Sequence, residues 1–533
     1  MPSAGVWMLA VVAGVLVLTG LPAWIVLIGV ALVFSVAGIA LGPLSVALFT
    51  AIPARLIGLL ENDLLQALPL YALMGALLNH LPLAQMIFRV GSRALARTGA
   101  GGPLAGLGLG VLLAPMNGSV GASVATLSRV IQPRLDAAGM PGERSAAIIC
   151  MASTLGVVVP PSLVLILLGD AMMRAHTEAL NITGESLRII NTQDVFVGAL
   201  VPAGLLLLFA TAVTWLLERR EPRRAALSTP PPGRRDWFVA VLTVGFIVAL
   251  LGGVALGYLY AVEAAAAGGV ALFACGLATR TLTVDVLRDV LRDTIAITGA
   301  LFALLMAATV FTLVLRAYDT DRWIGAVLSH LSWGEYPSLV LVLLVLALCA
   351  LVLDAFEMIF VVVPVVMPPL LTLVHNVTWV AVLTLLVLQA SFLVPPFGYA
   401  VLMVRNRLQR PLSTRRLVRA LLPYLVAQLV VLLLVLAEPR LVWQRNPLEL
   451  APSGAAPQPE GQPQGIEVPE EQPDSESPPE TTPNVEPQRP AGAPARSRLH
   501  WPKAHAAIVP TADAAAPVPR PPPCAASVVP EAG

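Results

Sequence analysis

The sequence predicts an all-α polytopic membrane protein built from two repeated halves with re-entrant hairpins and interrupted helices, and three observations carry that prediction. First, 57% of the residues are hydrophobic and 12% charged, with a mean hydropathy of +0.81. That is far more apolar surface than a soluble chain of 533 residues buries in its cores. Second, two Pro-Pro pairs interrupt apolar runs, Val159-Pro160-Pro161 and Val394-Pro395-Pro396. They lie 235 residues apart, and each follows a polar break, at Ser119 and Asp354, by 41 residues. Third, two connections carry six arginines each, which marks them as cytoplasmic. Non-helical backbone is tolerated inside a membrane only where protein or a water-filled cavity satisfies it. Interrupted helices in corresponding places of two halves therefore point to a central binding site.

Taken from the N-terminus, Val6 to Leu41 is long enough for two spans turning near Gly20 to Pro22, since a bilayer core needs about 20 helical residues. The N-terminus has no basic n-region, so this segment is expected to stay as a span and not to be cleaved. Leu44 to Leu68, with Arg55, Glu61 and Asp63, is too polar to span comfortably and is expected along the interface. Thr283 to Asp293 has the same character in the second half. Between and beyond them Val195 to Leu217, Phe238 to Leu251, Leu339 to Leu353 and Ala420 to Ala437 are apolar at spanning or re-entrant lengths.

The arginine-rich connections run through Arg219, Arg220, Arg223, Arg224, Arg234 and Arg235, and through Arg405, Arg407, Arg410, Arg415, Arg416 and Arg419; Arg89 to Arg97 is basic as well. With all three in the cytoplasm, the segments thread consistently if Gly101 to Leu135 re-enters from inside and Pro337 to Thr372 from outside. The halves are then inverted, and both termini lie outside. The expected organisation is an N-terminal membrane half (1–217), a basic cytoplasmic linker (218–236), a C-terminal membrane half (237–440) and a Pro-rich tail (441–533). The tail has Trp501 as its one aromatic beyond Pro452 and is expected to be disordered. Cys150, Cys275, Cys349 and Cys524 stand at unrelated spacings and indicate neither a metal site nor a disulfide framework.

The chemistry concentrates at the breaks. The first hairpin reads Ala114-Pro-Met-Asn-Gly-Ser-Val-Gly-Ala-Ser123. Its Pro and Gly expose helix ends and backbone carbonyls, with side-chain oxygens of Asn117, Ser119 and Ser123 beside Gly118. Carbonyl and hydroxyl oxygens suit a hard cation such as sodium, and helix N-termini opposite them suit an anion. The same small residues also suit close helix packing, and the residues alone leave both readings open. The partner segment Ala152 to Ser162 adds Ser153, Thr154, Gly156, Pro160, Pro161 and Ser162. The second half repeats the arrangement in Gln389, Ser391, Pro395, Pro396, Gly398 and Tyr399.

The second hairpin carries Asp354 and Glu357, the charged residues of an otherwise apolar stretch from Tyr336 to His375. An intramembrane Asp costs about 2.5 to 3.5 kcal/mol on insertion scales, so such groups mark an ion pathway or site. The competing reading is a pair of caps at a helix start. The sodium-ligand candidates are Asn117, Ser119 and Asp354.

These residues resemble the large membrane subunit (DctM-like) of tripartite ATP-independent periplasmic, or TRAP, transporters. The resemblance rests on Leu68-Pro-Leu-Tyr-Ala-Leu-Met-Gly75, Asn117-Gly-Ser-Val-Gly-Ala-Ser123, Gly156 to Ser162, Asp354-Ala-Phe-Glu357 with Pro364, and Pro395-Pro-Phe-Gly398. It covers about residues 5–440. It departs from the family where Val120 and Gly121 follow Ser119, and in Gly257 to Glu263, which lacks the family's proline. The resemblance implies an elevator-type, sodium-driven carrier of an organic acid in the bacterial inner membrane. The acid would arrive from a periplasmic solute-binding protein, and a separate small subunit of about four spans is expected. No cofactor beyond the coupling sodium ion is implied, and no nucleic acid. The alternative is a stand-alone secondary anion carrier or antiporter of related architecture. An enzyme is not expected, because the sequence holds no HExxH, GxSxG or P-loop motif.

Overall fold

The computed structural model describes residues 2–61, 63–113, 115, 119–219, 232–330, 334–394, 398–407 and 413–442. The expected disordered tail and most of the basic linker lie outside them. Helices α1 (Pro2–Thr19) and α2 (Ala23–Ala40) turn at Gly20, whose φ of 62° is open to glycine, and Pro22 leads into α2. The long N-terminal apolar stretch thus forms two helices, as expected. Helix α3 (Ala47–Leu60) buries none of its residues, in keeping with the amphipathic arm read from the sequence. Helices α4 (Ala67–His80) and α5 (Leu83–Ala94) meet at a 65° bend over Leu81-Pro82.

The first hairpin is α6 (Gly101–Leu113) and α7 (Val120–Ala137), followed by α8 (Gly142–Val158) and α9 (Leu163–Thr183), which are bent by 40° at the Pro-Pro break. Helix α9 stops at Gly184, which takes the left-handed conformation that ends many helices. Helix α10 (Thr192–Glu218) starts from a capping box between Asn191 and Asp194, which satisfies two of the amides left open at a helix start. It is followed by α11 (Arg234–Ala255) and α12 (Ala261–Ala278). Glu263 accepts from the Tyr260 amide at 2.9 Å, so it is a helix-start acid. The second arm is not a separate element: Thr283 caps α13 (Val284–Ala317), one helix of 34 residues that begins as the charged arm and continues as an apolar span.

Helix α14 (Thr320–His330) leads to the second hairpin, α15 (Glu335–Cys349) and α16 (Ala355–Leu371). Within α16, Met358–Val362 widens to a π-turn, in which the Val363 amide reaches back to the Met358 carbonyl. Pro364 explains the widening, since it offers no N–H to the Phe360 carbonyl four residues earlier. Helices α17 (Val377–Ser391), α18 (Tyr399–Arg407) and α19 (Thr414–Ala437) complete the order. Among the described residues six helices are long and apolar enough to cross a membrane, or up to eight if each bent pair forms one span.

The same series recurs at the sequence offset of 235 residues. Gly101, Val120, Gly142 and Leu163 open α6 to α9, and their offsets fall within one residue of Glu335, Ala355, Val377 and Tyr399, which open α15 to α18. Packing recurs too: α7 lies on α18, and α9 on α16. Helices α8 and α17 are buried along almost their whole length, so the broken helices lie inside the packed helices of the membrane unit. Around them exposed apolar side chains such as Leu18, Leu208, Val241, Leu344 and Leu433 face outward, as lipid contact requires.

Candidate functional site

At the first break, local chemistry decides which oxygens are left over. Pro160 and Pro161 have no N–H, so the carbonyls of Gly156 and Val157 lose the donors that a continuous helix would place four residues on. The Ser162 hydroxyl donates to the Val157 carbonyl at 2.7 Å, while its oxygen accepts from the Leu165 amide at 3.1 Å and caps α9. Ser153 donates to the Cys150 carbonyl at 2.8 Å. Ser119 caps α7 by accepting from the Ala122 amide at 3.1 Å, and the Ser123 hydroxyl donates to the Ser119 carbonyl at 3.1 Å. A hydroxyl whose proton is committed in this way presents lone pairs on its far side.

Ser119, Ser153, Gly156 and Ser162, with Pro115, Val120, Val157, Leu163 and Val164, line one small cavity of about 10 Å³. That is close to the room one water occupies. Hairpin and broken helix come together because α6 packs tightly on α8: a Cβ on Gly110 would overlap the Ala152 carbonyl. The structure therefore unites four of the candidates read from the sequence. Asn117 and Gly118, which belong to the same hairpin tip, lie outside the described residues, as do Pro395 and Pro396.

The second hairpin break takes its shape from its two acids. Asp354 has extended backbone (φ −77°, ψ 169°) and its carboxylate accepts from the Phe356 amide at 2.5 Å. Glu357 accepts from the Asp354 amide at 3.1 Å. The pair forms a reciprocal capping box that opens α16, so the cap geometry weighed as the competing reading is present. Capping uses one oxygen of each carboxylate in these bonds, and both side chains are half-buried. Ser391 donates to the Leu388 carbonyl at 2.6 Å, and the Gly398 amide to the Val394 carbonyl at 2.8 Å.

The two halves meet between the breaks. Thr154 in α8 accepts from the Gln389 side-chain amide of α17 at 3.1 Å, and these residues are separated by 235 positions, the repeat offset itself. Gln389 is fully buried. Tyr399 reaches the first hairpin, with its hydroxyl 2.8 Å from where a Cβ on Gly121 would sit. Neither contact was legible locally, because each joins residues that are adjacent only after both halves fold; the signal for the first was the offset.

Comparison with known proteins agrees with this architecture. The chain is 24% identical over 404 residues to the C4-dicarboxylate TRAP transporter large permease protein DctM of Pseudomonas aeruginosa, covering 74% of this chain and 90% of that protein. It is 24% identical over 433 residues to the protein of the same name in Rhodobacter capsulatus, covering 79% of this chain and 94% of that one. In structure it resembles the YdaH transporter of Alcanivorax borkumensis, with a TM-score of 0.52 and 18% identity over 79% of this chain and 97% of that chain, a likeness of fold alone. The family model of the tripartite ATP-independent periplasmic transporter DctM component matches residues 9–441, and the chain, a multi-pass membrane protein, belongs to that family.

Proposed function

We propose that the chain is the large membrane subunit of a TRAP transporter and carries an organic acid inward on a sodium gradient. The observation that carries this reading is the convergence of Ser119, Ser153, Gly156 and Ser162 on one small cavity at a helix break, with the Asp354–Glu357 break at the equivalent place in the second half. The hydroxyl oxygens of Ser119, Ser153 and Ser162, the last two with protons committed to carbonyls, together with the Gly156 carbonyl released by Pro160, are ligands that suit sodium. Asp354 supplies charge, while the N-termini of α7, α9 and α16 favour a carboxylate substrate. Relatives named as C4-dicarboxylate permeases favour a small dicarboxylate.

In this reading the halves are inverted and the helices divide into two bodies. Helices α6 to α10 with α15 to α19 form the moving transport body, and α1 to α5 with α11 to α14 form the scaffold. The recurrence at 235 residues and the Thr154–Gln389 crossing support the repeat, and the packing of α13 along α2, α3 and α4 supports a scaffold. The second arm is tied to it: His80 of α4 contacts Asp293 of α13 at 2.9 Å. The arginine-rich connections set the cytoplasmic side. The expected partners are a separate small membrane subunit of four spans and a periplasmic solute-binding protein, in a bacterial inner membrane. A mild-detergent purification of the tagged chain from its native membranes tests this. Co-purification of a small four-span protein is expected; reproducible recovery of the chain alone contradicts the reading and favours a self-sufficient carrier.

A further inference from the structure

Arg316, close to the C-terminal end of α13, joins three helices. Its Nη2 donates to the Glu178 carboxylate of α9 at 2.6 Å and to the Pro364 carbonyl of α16 at 3.1 Å. That carbonyl needs a donor from elsewhere, because the residue four positions on is Pro368, which has no N–H. The other side of α13 is held independently. Tyr318 donates to the Phe34 carbonyl of α2 at 2.7 Å, and the two rings meet edge to face at 6.5 Å. Arg316 thus extends from a helix anchored on α2 across to the return arm of the second hairpin and to α9.

The residues of this junction are not repeated in the first half, where Arg134 of α7 instead donates to the Gln85 carbonyl of α5 at 3.3 Å. At the repeat offset of 235 residues Arg316 corresponds to Leu81, Glu178 to Ser413, and Pro364 to Arg129. The two seams therefore differ: Arg134 meets a carbonyl and the Phe88 ring of α5, whereas Arg316 pairs with an acid of α9, and seams of unequal strength tip a moving body toward one of its positions. The side chains of Arg316 and Glu178 are 31% and 26% exposed, which keeps the pair weaker than a buried ion pair and able to open.

We propose that Arg316 is a positioning residue that pins α16 and α9 to α13 in the arrangement seen here and releases them in the other. This rests on the two-body reading above. The test uses the full chain with Cys150, Cys275, Cys349 and Cys524 replaced, and spin labels at Leu41→Cys beyond α2 and Leu187→Cys beyond α9, both exposed. Two inter-label distances are expected, one matching this structure. Glu178→Gln and Arg316→Ala should each shift the ratio away from it by about fivefold, with Arg316→Lys in between. Two distances with an unaltered ratio in both variants overturn the pin while leaving the two-body reading standing. One unchanging distance in the wild type, with and without sodium, overturns both. A lower melting temperature without any change of ratio assigns Arg316 a merely structural role and also overturns the proposal.

Discussion

Asp354 is at once a helix cap and a charge in an apolar hairpin, and substitution separates the two. Asparagine caps a helix about as well as aspartate. Asp354→Asn should therefore leave the melting temperature and membrane insertion unchanged while abolishing sodium-coupled uptake. Wild-type uptake in that variant removes Asp354 from the ion site. Ser153 and Ser162 differ in the same useful way. Ser162 caps α9, so Ser162→Ala should cost about 1 kcal/mol of stability in addition to weakening sodium dependence. Ser153 caps nothing. Ser153→Ala should raise the half-saturating sodium concentration roughly two- to tenfold, the worth of one polar contact, with little change in the melt. These caps and hydroxyls were legible in the sequence, since a Ser or Asp after a break followed by a helical run is a local signal. Arg316 was not legible, because nothing near it in the chain indicates that Glu178 and the Pro364 carbonyl come within its reach.

Among the elements, the two breaks define the architecture. Replacing Pro160-Pro161 by Ala-Ala returns amide donors to the Gly156 and Val157 carbonyls, heals the bend between α8 and α9, and should lower transport. Unchanged uptake kinetics would mean that the bend is incidental. Thr154 and Gln389 give a second handle, because a buried polar group left alone costs more than a pair replaced together. Thr154→Val and Gln389→Leu should each destabilise the protein by about 1 to 3 kcal/mol, and the double variant by less than their sum, as read from thermal melts of the purified protein. Both hairpins, the Pro160-Pro161 break and the N-terminal helix pair were legible from apolar length and proline position, while Pro395-Pro396 lies outside the described residues. The π-turn in α16 and the fusion of the second arm with its span in α13 were not. Each depends on how neighbours absorb a local defect: Pro364 widens a helix where Pro160 breaks one, and the arm continues into a span because no Pro interrupts α13.

For the whole molecule, the repeat explains both the resemblance of the two halves and the interest of their differences. The first break is neutral and lined by hydroxyls, while the second is charged, and the Arg316–Glu178 pair has Leu81 and Ser413 at the corresponding repeat positions. A repeated frame with different chemistry at its two breaks suits the ion-coupled carriage proposed above. The most direct measurement is uptake of a labelled C4-dicarboxylate into liposomes holding the chain with its co-purified small subunit, with and without an inward sodium gradient and the solute-binding protein. Uptake that needs both the gradient and the binding protein is the predicted result. Uptake that proceeds at the same rate without sodium, or by this chain alone, contradicts the account.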